Sequence, residues 1–141
     1  MDNERWYEEL ESNIFTLVSH RIRKALIGKV SKTIKFTTEG QSDAVPYFPT
    51  CYIHELTPAE SGNDLEGRTI NAVIETIEVI VYADSKSDCK TITDEAVFQM
   101  KRLRFSVTAM PIITEDGRVS SGVCRFRRVI GADDKDLTEM Q

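Results

Sequence analysis

The sequence predicts an α+β domain in which a mostly antiparallel sheet carries two helices packed on one face, in the order α-β-β-β-α-β-β. Three observations predict it. Residues 6–26 repeat apolar side chains at three- and four-residue steps, and residues 69–83 alternate like a strand. An Asp-Gly pair then joins two apolar runs near the end of the chain.

The first helix is written in Trp6, Leu10, Ile14, Leu17, Val18, Ile22 and Leu26, which fall on one stripe. Asp2 or Asn3 is the expected cap, the early glutamates suit the positive end of the helix dipole, and Gly28 is the expected stop. A strand is expected at 32–37 around Ile34 and Phe36, and a polar loop at 38–46. Residues 47–56 read as a second strand, with Pro49 suggesting an edge or a bulge, and 57–68 as a second loop. In the strand at 69–83, Val73, Ile77, Val79 and Val81 share one face while Ile74, Ile80 and Tyr82 lie on the other beside Thr76 and Glu78. Apolar residues on both faces suggest a central position. Ser85 and Asp88 have the spacing of a capping box for a helix that aligns Ile92, Ala96, Met100 and Leu103. The closing hairpin runs 107–113 and 119–130, with its turn at Glu115-Asp116-Gly117. One domain is expected over residues 1–131, followed by a polar, flexible C-terminal tail at 132–141.

A chain of 141 residues, 40% hydrophobic, is sized for one core without disulfide staples. Its net charge of -5 argues against nucleic acid as the main partner, and specific nucleic-acid recognition is not expected. No apolar run is long enough to span a membrane, and an N-terminus bearing Asp2, Glu4, Glu8, Glu9 and Glu11 is unlike a secretory signal. Assembly in the cytoplasm is the expectation. Cys51, Cys89 and Cys124 are odd in number and widely spaced, as befits reduced thiols.

Catalytic chemistry is not evident. Cys51 and His54 form half of a zinc motif, but positions three apart on a strand point to opposite faces. Glu75 and Glu78 are separated in the same way, which makes a carboxylate dyad between them unlikely. No nucleophile elbow, phosphate-binding loop or dinucleotide fingerprint is present. No enzyme activity, cofactor or metal is expected.

Charge is segregated instead. Arg21, Arg23, Lys24, Lys29, Lys32 and Lys35 lie in a stretch without acids; Lys101, Arg102 and Arg104 form a second basic group, and Arg118, Arg125, Arg127 and Arg128 a third. Each cluster alone is ordinary solvated surface, but acidic and basic patches on one small domain suit head-to-tail contact between copies. Candidate subunit-interface residues are Arg125, Arg127, Arg128, Lys101, Arg102, Glu8 and Glu9, the three C-terminal arginines first, against acidic residues of the adjacent copy.

The long strand Asn71-Ala72-Val73-Ile74-Glu75-Thr76-Ile77-Glu78-Val79-Ile80-Val81-Tyr82, the Asp-Ser-rich cap and helix that follow it, and a hairpin from Met110-Pro111-Ile112-Ile113 to Arg125-Phe126-Arg127-Arg128 make a recognisable layout. Across most of residues 1–131 it resembles the tail terminator (tail completion) proteins of tailed bacteriophages. That resemblance implies a structural virion protein of the tail and neck. It would form a homohexameric ring that caps the tail tube, ends its polymerisation and joins the tail to the head connector. The implied partners are further copies of itself, the tail tube protein and the head connector or head-closure protein. Glu39, Gln41, Asp43, Asn63, Asp64 and Glu66, in the two polar loops, are the candidates for contact with the tube. Two alternatives are a head-closure or neck joining protein of the same virion and a small cytosolic enzyme with an unrecognised site. A nucleic-acid-binding module, prompted by the stretch from Arg21 to Lys35, is a third.

Overall fold

Strand β4 (Ala72–Ala83) lies at the middle of the sheet because every second side chain along it is buried, while those between are only half-covered. The structure, a computed structural model, describes residues 5–30, 32–38, 47–62 and 67–138. Around β4 stand β1 (Lys35–Thr37), β2 (Thr50–Glu55), β5 (Ser106–Asp116) and β6 (Val119–Gly131), in the order β1-β2-β4-β6-β5. The two-residue strand β3 (Ala59–Glu60) also pairs with β4, continuing where β2 ends. All pairings are antiparallel except β1 with β2. The α+β class, the mostly antiparallel sheet and the two long helices match the expectation from sequence. β3 is an addition inside what reads as loop, too short for any periodicity to reveal.

Helices α1 (Leu10–Ala25) and α2 (Lys86–Arg102) cover one face of the sheet. Leu10, Ile14, Val18 and Ile22 from α1 join Cys89, Ile92, Ala96 and Met100 from α2 in a single buried cluster. The sheet contributes Cys51 and Ile53, Val73, Ile77, Val79, Val81 and Ala83 of β4, and Cys124, Phe126 and Ile130 of β6. Each large aliphatic side chain so buried contributes about 1.5–3 kcal/mol.

The first helix starts later than expected. Residues 5–9 form turns, Glu9 takes the N-cap position without a side-chain cap, and Asp2 and Asn3 lie outside the described residues. Trp6 fixes this turn by donating from Nε1 to the carbonyl of Ile70 at 2.9 Å. Helix α2 has the expected cap, since Ser85 Oγ accepts from the Asp88 amide at 3.3 Å. Its C-terminus closes as a Schellman motif: the Phe105 amide donates to the Met100 carbonyl and the Arg104 amide to the Lys101 carbonyl. Arg104 therefore sits at φ +66°, a left-handed position that usually holds glycine. Pro49 precedes β2 rather than marking an edge, because β1 pairs along β2's outer side. The hairpin loop is shorter and begins later than expected: Glu115 and Asp116 still pair with Ser120 and Val119, and Gly117 turns the chain at φ +64°.

Gly122 is the other glycine with a structural reason. It faces α2, and a Cβ there would lie 2.5 Å from Thr93 Oγ1. Gly122→Ala is expected to cost about 1–3 kcal/mol by forcing helix and sheet apart. Adding Thr93→Ala should recover most of that loss in urea melts, because it removes the colliding hydroxyl and methyl together.

Within the C-terminal segment 132–141 the structure describes residues 132–138. Residues 135–138 form the short helix α3 (Lys135–Thr138), with Leu137 fully buried. Asn13 Nδ2 donates to the Leu137 carbonyl at 2.9 Å, and Asp134 Oδ2 accepts from the Gly131 amide at 2.8 Å. One buried leucine and these bonds overcome the polarity of the segment.

Candidate functional site

The face of the sheet turned away from the helices is built in rows that follow the strand register. Tyr52, Ile80, Val123 and Ile112 stand opposite one another across β2, β4, β6 and β5, making an apolar band. The next row is polar. His54 Nε2 lies 3.0 Å from Glu78 Oε1, and Arg125 Nε donates to Glu78 Oε2 at 2.8 Å. Tyr52 stacks on His54 with ring centroids 4.4 Å apart. Burial pulls the Glu78 carboxyl upward, but hydrogen bonds and charge from His54 and Arg125 outweigh it, so Glu78 titrates below the ordinary carboxylate range. Cys51 points the other way, into the core, so the half-motif Cys51–His54 is split between the two faces of β2.

At the sheet's edge, β5 pairs with β6 alone among the described residues, and nearly all of its side chains are exposed. Met110 and Ile112 are each 68% exposed on either side of Pro111. Register shifts bracket Ala109, so the strand is bent there, and Pro111 removes a backbone donor. Long apolar edges template further pairing, and bulges and prolines restrict it to particular registers.

Beside the start of β5 is a cleft of about 390 Å³ lined by Arg104, Ser106, Thr108, Arg127, Arg128 and Asp134, with Val129. Its three guanidinium groups differ. Arg128 is buried, donating to the Leu103 carbonyl at 2.9 Å and pairing with Asp134 at 2.9 Å. Arg104, two-thirds exposed, makes longer pairs with Asp134 at 3.4 Å and Asp136 at 3.8 Å. Arg127 has no ion pair among the described residues. The cleft therefore offers one open guanidinium, one loosely held, and the hydroxyls of Ser106 and Thr108.

A buried carboxyl cluster under α1 escaped the reading of the strand pattern. Glu75, 2% exposed, occupies a core-facing position of β4. It is hydrogen-bonded to Glu55, and Glu11 lies within electrostatic reach. Burial first, then Glu55, pushes the Glu75 carboxyl up to about 9, while its Oε2 has no hydrogen-bond partner among the described residues. Burial also raises Glu11, assisted by Glu55. A lone acid among Val73, Ile77 and Val79 was the available signal; its neighbour Glu55, which stands opposite Ile77 on the adjacent strand, was not. The three thiols are buried, and desolvation raises all of them, Cys124 to about 12. Thiols so placed are poor nucleophiles. Among the described residues, no three His, Cys, Asp or Glu side chains converge as a metal site, and no helix is long and apolar enough to cross a membrane.

The expected interface residues separate accordingly. Arg125 is engaged with Glu78 yet half-exposed, Arg127 is exposed, and Arg128 is buried against the Leu103 carbonyl and Asp134 of its own chain. Lys101 and Arg102 are exposed at the end of α2, with the Arg102 guanidinium 5.9 Å from the ring centroid of Phe98, itself exposed. Glu8 and Glu9 are exposed in the turn before α1, Glu8 lying 3.7 Å from Arg5. The tube-contact candidates Glu39, Gln41, Asp43, Asn63, Asp64 and Glu66 lie outside the described residues. Sequence reading undervalued Arg104, whose place in the cleft follows from the helix cap, and Met110 and Ile112, whose exposure follows from the edge position of β5. No protein-family model matches the sequence, and no curated protein matches it.

Proposed function

We propose that this chain is a structural, self-associating protein of the tail terminator kind, with no substrate of its own. Copies assemble into a ring that caps a phage tail tube, ends its growth and offers a surface to the head connector. The observation that carries the assembly half is the β5 edge, where Met110 and Ile112 are each 68% exposed in a strand with a neighbour on one side only. The band of Tyr52, Ile80, Val123 and Ile112 extends this apolar surface from the edge onto the open face. Apolar surface of this kind, rimmed by Arg125 and Arg127, is typical of protein–protein contacts. The phage-tail half rests on the resemblance of residues 71–82 and 110–131 to terminator strands.

The test is the double variant Met110→Asp, Ile112→Asp. Both side chains are exposed, so the fold should be retained within about 1 kcal/mol. Self-association measured by sedimentation should fall by about a hundredfold, in line with the loss of two central apolar anchors. Unchanged association with an unchanged fold would remove β5 from the interface.

A further inference from the structure

Glu75 and Arg128 stand directly opposite each other in the β4–β6 register, both on the helix-covered side of the sheet. Cross-strand neighbours on one face have Cβ atoms roughly 4.5–5.5 Å apart, well within the reach of an arginine. Both residues are buried, yet among the described residues no ion pair joins them. Arg128 turns instead to the Leu103 carbonyl at 2.9 Å, to Asp134 at 2.9 Å and to Asp136 at 3.7 Å. Glu75 turns to Glu55 and keeps its Oε2 without a hydrogen-bond partner among the described residues. Two carboxyls share a hydrogen bond only while one of them keeps a proton. Burial, and after it Glu55, supplies that condition by raising the Glu75 carboxyl to about 9. The fold thus keeps a neutral acid beside an arginine that is committed elsewhere.

We propose that Arg128 is a switch with two seats: it holds the C-terminal segment through Asp134 while Glu75 keeps its proton, and turns to Glu75 and frees that segment when the proton leaves. The charged groups around Glu75 fix the direction. Glu11 faces it from α1 and Glu55 from β2, with His54 in electrostatic reach of Glu11; all but His54 oppose a second negative charge. Arg128 faces it from β6, and Asp134 and Asp136 lie behind Arg128. From α2 the buried polar groups are the neutral Thr93 and Gln99, Lys101 and Arg102 being exposed, and Glu60 of β3 is exposed as well. Ionised Glu75 would be a desolvated charge with a cation as its cross-strand neighbour, where pairing counts most. Asp134 is partly exposed and retains the Gly131 amide at 2.8 Å and Arg104 at 3.4 Å, so it loses little when Arg128 leaves. The four residues of α3 are too few to hold a helix by themselves, and only Leu137 and its bond to Asn13 then oppose release. Release uncovers the seat of Leu137 on α1 and frees Arg104 of both aspartates. Every group named belongs to one copy, so the switch is independent of self-association.

The experiment is methyl NMR on the full chain, titrated from about pH 6 to about pH 10 so as to span the Glu75 midpoint. Leu137 reports the C-terminal segment, while Ile92 and Val79, buried elsewhere in the core, report the rest of the fold. In the parent the released fraction, read from Leu137 methyl shifts moving to unstructured positions, should rise about tenfold per pH unit below that midpoint, as linkage to one proton requires. Ile92 and Val79 should keep their native positions. Glu75→Gln preserves the neutral shape and should hold Leu137 native throughout. Asp134→Asn gives up the competing charge and should lower the Glu75 carboxyl titration by about one pH unit or more, because Arg128 then turns to Glu75. A Leu137 that stays native to the end of the titration, leaves only together with Ile92 and Val79, or leaves equally in Glu75→Gln overturns the switch. So does a Glu75 titration that Asp134→Asn does not move.

Discussion

Replacing Arg128 with methionine is expected to destabilise the domain by about 3–5 kcal/mol, the range for breaking a buried, hydrogen-bonded ion pair from one side. Arg128 lies on the helix-facing side of β6, with a side chain only 7% exposed. Its guanidinium holds three pieces of chain together: the Leu103 carbonyl at the end of α2, Asp134 ahead of α3, and its own strand. Methionine fills much of the space but leaves the Leu103 carbonyl without its guanidinium donor and Asp134 with only the Gly131 amide and the longer Arg104 pair. Arg104 provides the internal control, since it shares Asp134 but is 67% exposed. Arg104→Ala should cost no more than about 1 kcal/mol, as exposed pairs do. Arg104→Gly should be close to neutral, because relief of the left-handed backbone offsets the lost pair. Urea denaturation of the three variants checks the ranking, and comparable losses at 104 and 128 would contradict it.

The second large effect is on pH dependence. The Glu75 carboxyl is pushed from 4.5 to about 9 in the folded chain, so between those values the folded state keeps a proton that the unfolded state releases. Stability is therefore at its full value below about pH 4.5, falls as pH rises, and levels off above about 9. Glu11, also raised, acts in the same direction. Glu78 acts in the opposite one: its depressed titration supports the fold above the ordinary carboxylate range and is lost as pH falls. Glu75→Gln should flatten the alkaline limb and raise stability at pH 8 by about 2–4 kcal/mol, allowing for coupling within the cluster. Thermal melts from pH 5 to 9 measure it. An alkaline limb that persists unchanged in the variant would show that its origin lies elsewhere.

Most of the architecture was legible because its signals are local. The alternation in 69–83 fixed β4 as central, and Ser85 with Asp88 fixed the start of α2 to within a residue. What escaped depends on contacts between distant residues. α3 forms because Leu137 finds the α1 packing surface and Asp134 finds Arg128, neither of which a ten-residue polar window reveals. Glu55 and Glu75 meet only through the β2–β4 register. The arginines that look alike in sequence as Arg125, Arg127 and Arg128 separate into paired, open and buried once alternation places 128 on the opposite face from its two neighbours. That alternation was readable in advance. Its consequence was not, because the acids that bury Arg128 sit in the segment that reads as loose tail.

The central claim is that the working surfaces of this chain are its edges, and that copies of it close into a ring. Mass in solution at low ionic strength and high protein concentration, paired with negative-stain imaging of the same sample, tests it most directly. The account predicts closed rings of a single size, six copies by the terminator resemblance, that dissociate in the Met110→Asp, Ile112→Asp variant. A chain that remains monomeric throughout, or that forms only a symmetric dimer insensitive to β5, would contradict it.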